Sequence, residues 1–321
     1  MCVRTNGRTG DCVCVCCVKG CPDFHITGSH SALHSKRLYP VRPVGRAAGS
    51  LTASPLRLDI GAFSEHTLLH ADQLQFPQDE LLAIYATSIK RASRHVYGHD
   101  IRRLIPIIPI TLFTRCLMHF PYPILAGQRG WVPSLTFPLT YPELNDVFYG
   151  YTQRKLRDSN GQMQPSTKRL VHSTLFITTA LVALLIHKQA GNGREAVQLY
   201  REHIGDQWCT FLDELTSLCQ NQWGYRVPED AQGQQKLRTL CEQGLAFVNH
   251  FLVQYKAYLL SELQQPDPGI QRFTLQRLQQ MIYPGSEVIE AIHPFTMSDN
   301  VLLRQDAIQA LDCYRQHVCG R

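Results

Sequence analysis

The chain has 321 residues, room for two domains or one large one, with 44% hydrophobic and 18% charged residues and a formal net charge of +6. That apolar share is enough for a substantial core, and charge below the roughly 25% usual in soluble domains leaves room for a sticky surface. Residues 1–55 hold seven lysines and arginines against two aspartates, so the body is nearly neutral and lacks the basic clustering of a nucleic-acid binder.

In chain order, residues 1–55 mix Gly, Ser, Thr, Pro and Arg with no apolar period and read as a disordered, Cys- and Arg-rich N-terminus. Six of the twelve cysteines fall in the first 21 residues, around Cys12-Val-Cys-Val-Cys16-Cys17 and Cys21. With His25 they could be offered as metal ligands, but the paired spacing that closes a tetrahedron is missing, and alternating Cys-Val is what a translated TG repeat encodes. No apolar core of a secretory signal is visible, and the cysteines argue against a mitochondrial transit peptide despite the arginines. The scattered Cys116, Cys209, Cys219, Cys241, Cys313 and Cys319 read as free core thiols of a reducing compartment.

From Leu56 the composition changes. Pro77 followed by Asp79 and Glu80 opens a helix whose expected apolar face is Leu81, Leu82, Tyr85, Ile89 and Ala92. Within residues 101–113, Leu104 to Thr111, broken by Pro106 and Pro109, reads as an extended buried segment or edge strand. The aromatic, proline-rich stretch from Phe120 to Pro142 reads as short strands and turns, with Val132 to Leu139 a second extended piece. Asn160-Gly161 marks a turn and a domain boundary.

Thr174 to Ile186 is the longest run without charge, bracketed by His172 and His187-Lys188. It is short of the about 20 apolar residues that span a bilayer, and being apolar all round it reads as a central buried helix. Gly191-Asn-Gly193 stops it. Helices follow at Arg194 to Ile204, at Asp206 to Gln222, at Gln235 to Leu263 with Leu245, Val248, Phe251, Leu252, Tyr255 and Leu259 on one face, and at Ile270 to Ile282. A last helix, capped by Ser298, has Val301, Ile308 and Leu311 as its apolar face. The fold class is mainly α: a helical domain over 161–321, a small mixed α/β, Pro-rich region over 56–160, and the disordered N-terminus.

Candidate chemistry is sparse. His95 stands five residues before Asp100, a spacing in which a carboxylate orients an imidazole base; here it follows a polar helix end flanked by arginines and reads as solvated. His66 and His70, spaced i, i+4 with Asp72 near, could share a metal but lack a second ligand pair. His172 and His187 sit at the ends of the central helix, where His187 suits a C-terminal cap. No nucleophile elbow, phosphate-binding glycine loop or dinucleotide fingerprint occurs. Catalytic and cofactor-binding residues stay unassigned, and no metal site is expected.

Three segments, in order, resemble the glycerol-3-phosphate and dihydroxyacetone-phosphate acyltransferase family. Leu104-Ile-Pro-Ile-Ile-Pro-Ile110 looks like that family's late Val-Pro strand. Trp131 to Leu139, followed by Pro142-Glu-Leu144, is similar to the strand and turn that come next. Thr174 to Ile186, with Ile177 to Leu185 inside it, resembles the helix opening its C-terminal region, and near the end Leu245 to Leu263 and Phe273 to Leu278 resemble its closing helices. In that family a long catalytic domain separates the His-x4-Asp motif from the Val-Pro strand, so His95 and Asp100 are not carried over as a catalytic pair. The resemblance implies a diverged or truncated glycerolipid acyltransferase without its catalytic core. It implies acyl-CoA as co-substrate of the whole enzyme, lipid or membrane-surface association, and a mitochondrial or peroxisomal membrane location. The rival expectation is a non-enzymatic, cytoplasmic helical module that binds a protein partner through exposed apolar faces.

Overall fold

The computed structural model describes residues 12–17, 59–93, 100–129, 132–140, 147–157 and 161–319, and these are mainly helical with a few short strands. Inside the stretch expected to be unstructured, strand β1 (Cys12–Cys17) pairs antiparallel with β2 (Asp59–Ser64). Its alternating β-branched valines suit a strand. The other residues of 1–55, Cys2, Cys21 and His25 included, lie outside the described set.

Helix α1 (Glu65–Leu69) and a single 3-10 turn lead into α2 (Glu80–Ala92). The buried face of α2 matches the expected one only at Ile89: Ala83, Ile84, Ala86 and Thr87 are also covered, while Leu81 is 40% exposed. Most of that covered face is made of small side chains, which an apolar period does not single out. Of the extended segment or edge strand expected over Leu104 to Thr111, residues 106–109 have no regular structure and form no strand. Pro106 and Pro109 cannot donate to a ladder, and the carbonyls there are taken by side chains instead: Lys90 donates to Ile105 at 2.6 Å and Gln189 to Ile108 at 2.5 Å. Directly after Pro109 the chain turns into α3 (Ile110–His119).

Phe120 to Gln128, expected to be strands and turns, forms α4 (Pro121–Gln128). Both its prolines sit in the first turn, where the missing N–H has no helical partner to lose. The next extended piece is as expected. It contains β3 (Leu135–Thr136), and Asn249 clamps its end, donating to the Leu139 carbonyl at 2.9 Å and accepting from its N–H at 2.8 Å. The hairpin of β4 (Lys155–Arg157) and β5 (Met163–Pro165) delivers the chain into α5 (Lys168–Ile186).

Helix α5 is the central apolar run. It is the one helix among the described residues long and apolar enough to cross a membrane, yet 72% of its most apolar window is buried inside the protein. Then come α6 (Gly193–His203), α7 (Trp208–Leu215) widening into a π-helical turn (Thr216–Gln222), and α8 (Ala231–Leu263). Helix α9 (Pro268–Gln280) runs into β6 (Met281–Ile282), which pairs in parallel with β3; α10 (Ser286–Ile292), a 3-10 turn (His293–Met297) and α11 (Val301–Cys319) close the chain.

The chain divides into two compact units, Met1–Leu117 with Thr178–Gly205, and Met118–Ile177 with Asp206–Arg321. Asn160, half of the expected boundary turn, lies outside the described residues. In the first unit, Leu68, Ile84, Phe113, Leu181 and Tyr200 are among the buried side chains. In the second, the expected face of α8 is buried throughout, and Trp208, Phe211, Phe247 and His250 stack at centroid separations of 5.3–6.3 Å.

Candidate functional site

Within the second unit, β3, β6, α10 and α11 enclose a cleft of about 200 Å³ lined by Thr136, Ile282, Tyr283, Pro284, Gly285, Ile289, Tyr314 and His317. The short parallel pair sets its floor. Gly285 starts α10 at φ 114°, a backbone region that side chains rarely enter, so the turn at the cleft's rim needs glycine.

The two phenols at the cleft are committed to the fold. Tyr283 Oη donates to the Leu252 carbonyl at 3.1 Å, and Tyr314 Oη accepts from the Tyr283 N–H at 3.2 Å while donating to the Met281 carbonyl at 3.3 Å. Burial pushes both hydroxyls above the ordinary tyrosine value, with Tyr255 and Tyr314 adding to the effect at Tyr283. They stay neutral and occupied. His317 Nδ1 lies 2.9 Å from the Cys313 carbonyl and must be the donor there, which leaves Nε2 as the acceptor in the neutral ring. Such a cleft can hold an apolar group beside one imidazole; its phenols are not placed to move protons.

The sequence candidates are not brought together. His95 lies outside the described residues, and Asp100 is held by Arg102, which donates from Nη2 at 2.6 Å and from Nε at 2.8 Å. His66 and His70 stack at 4.3 Å, with the His70 ring bonded to the His66 carbonyl at 2.7 Å. Among the described residues no group of three or more His, Cys, Asp or Glu could hold a metal ion. His187 follows the last residue of α5 at φ 53°, the left-handed conformation of a helix stop. His172 is buried near the start of α5 with the Arg154 guanidinium 3.5 Å from its Nδ1.

One buried histidine escaped the sequence reading. His119, at 0% exposure, bonds to the Tyr255 hydroxyl at 2.7 Å and packs edge-on to Phe273 at 4.9 Å, with Arg277 over the same Phe273 ring. Its place two residues past buried Leu117, on the last turn of an apolar helix, was the available signal.

Two of the buried thiols are held neutral by their environment. Burial pushes Cys116 above the ordinary thiol value and Cys219 up to about 12, the Thr167 hydroxyl opposing the shift at Cys219. No protein-family model, curated protein or solved structure matches this chain.

Proposed function

We propose that the protein is a non-enzymatic helical interaction module that engages a protein partner through the start of α11. One observation carries this reading. Leu303, Ala307, Ala310, Leu311 and Tyr314 supply the buried face of α11, whereas Val301, Leu302 and Ile308 are 52%, 50% and 46% exposed, and Met297 just before them is 82% exposed. Two of the three residues expected as the core face of this helix therefore face outward. Four large apolar side chains on one short span are costly to hydrate, and covering them with a partner removes that cost, at roughly 25 cal/mol per Å² of apolar area.

The test is site-specific photocrosslinking from positions 301 and 308. The reading expects discrete protein adducts that disappear with Leu302→Glu. Absence of such adducts, or adducts to lipid alone, would contradict it.

The glycerolipid acyltransferase resemblance is the second reading we propose. On it, the chain supplies helical structure to an enzyme that moves an acyl group from acyl-CoA to a glycerol-phosphate hydroxyl. The apolar cleft beside β6, with room for the end of an acyl chain, favours it. Acyl-CoA binding measured by calorimetry, and its loss in Ile289→Trp, which fills the cleft, is the outcome this reading expects. No binding by the wild-type chain would remove it.

A further inference from the structure

The cleft beside β6 has two properties that neither reading above uses: walls fixed from behind, and a hydrogen-bond acceptor with capacity to spare. Tyr283 is held at both ends, its N–H donating to Tyr314 Oη at 3.2 Å and its own Oη donating to the Leu252 carbonyl at 3.1 Å. Its ring also packs beside Phe137, with centroids 5.6 Å apart. Tyr314 is tied in turn to the Met281 carbonyl at 3.3 Å. Both tyrosines are buried and anchored, so neither can swing in to fill the space. A cleft whose walls cannot collapse stays open, and a guest meets walls that need no further ordering.

Volume and polarity narrow the occupant. A dry cavity of about 150 Å³ is enough for benzene, so a cleft of about 200 Å³ has room for one substituted ring. Tyr283, Pro284 and Tyr314 offer ring surfaces to it, which suits a flat aromatic body. None of the lining residues is Asp, Glu, Lys or Arg, so the guest is neutral.

His317 sets the remaining requirement. Its Nδ1–H is spent on the Cys313 carbonyl one turn back at 2.9 Å, which leaves the Nε2 lone pair on the far edge of the ring. Among the described residues no hydrogen bond reaches that nitrogen. Both phenol protons of the walls are used inside the fold, so the donor that Nε2 lacks has to come from the guest. The Thr136 hydroxyl, able to donate or accept, sets no preference. The end of an acyl chain brings no donor and would leave the imidazole without a partner.

We propose that the cleft is a binding site for a small neutral aromatic molecule of the phenol class, whose hydroxyl donates to His317 Nε2. The ring lies against the tyrosine walls, and the one polar contact fixes its orientation.

The experiment is calorimetric titration of the full chain at pH 8, where an ordinary imidazole is neutral. The probes are p-cresol and toluene, which differ by the hydroxyl alone. Wild type binds p-cresol saturably and about tenfold more tightly than toluene, the effect of one hydrogen bond. His317→Phe keeps a ring but removes the acceptor, and the two affinities become equal. Ile289→Trp fills the cleft and abolishes both. Should His317→Phe fail to fold, 4-methylanisole, in which a methyl group replaces the donated proton, carries the same comparison on wild type and binds as weakly as toluene. The site is overturned if wild type shows no saturable binding of p-cresol, if toluene or 4-methylanisole binds equally well, or if p-cresol binding survives Ile289→Trp.

Discussion

Replacing Gly191 with alanine would set a methyl carbon 2.7 Å from Arg91 Cβ and 3.0 Å from Ala92 Cβ. Those atoms are fixed to the backbone of α2 and cannot rotate away, so Gly191→Ala should cost about 1–3 kcal/mol, the usual range for overpacking, read from the denaturant midpoint at unchanged slope. A value near zero would mean that the end of α2 moves freely. The buried thiols give a second test at this scale. Cys219, whose folded value is raised from the ordinary 9.0 to about 12, is neutral in the folded protein, while the unfolded chain ionises it above about 9. Stability from this group is complete below the unfolded value and is lost as pH rises toward the folded one, at about 1 kcal/mol per pH unit in between. Denaturation between about pH 8 and pH 11 should therefore show a fall that is shallower in Cys219→Ala; equal slopes would mean that Cys219 titrates alike in both states. The free-thiol reading of the sequence is met at Cys116, Cys209, Cys219, Cys241 and Cys313.

Among the elements, those whose apolar residues are large and regularly spaced were the readable ones. The face of α8 and the extent of α6 follow the sequence because leucine, phenylalanine and tyrosine at i, i+3, i+4 leave one way to be buried. Failures have separate causes. In α3 and α4 the prolines argued against helix, but each stands before or within a first turn, where proline is tolerated. In α11 the buried face uses two alanines, and the larger Val301 and Ile308 were given the role that Ala307 and Ala310 fill. The segment at Gly191-Asn-Gly193 does more than stop a helix. Asn192 Oδ1 accepts from the Glu195 N–H at 2.9 Å, while the Glu195 carboxylate takes the Gly191 N–H at 2.7 Å and Arg91 at 2.5 Å, so α6 begins with a reciprocal cap tied to α2. Asn192→Ala should cost about 1 kcal/mol, and Glu195→Ala should match or exceed it because it removes both of its bonds. An Asn192→Ala variant as stable as wild type would show that the cap is unused.

For the whole molecule, the mainly helical class and the buried central helix were legible, because a long uncharged run leaves few alternatives. How the chain is apportioned was not. The two compact units each draw on two separated stretches, and α5 passes from one to the other at Thr178; periodicity reports faces, and long-range partition leaves no mark in a local window. The proposed site of action was hidden for a related reason. Sequence marks an apolar residue without saying whether it will be covered, and at the start of α11 four of them are not. The measurement that bears most directly on the account is photocrosslinking from position 308 in cells that express the protein, with position 315 on the same helix as control. The account predicts a discrete protein adduct from 308, none from 315, and its loss with Leu302→Glu. Equal adducts from both positions, or none from 308, would contradict the reading of α11 as a partner-binding surface.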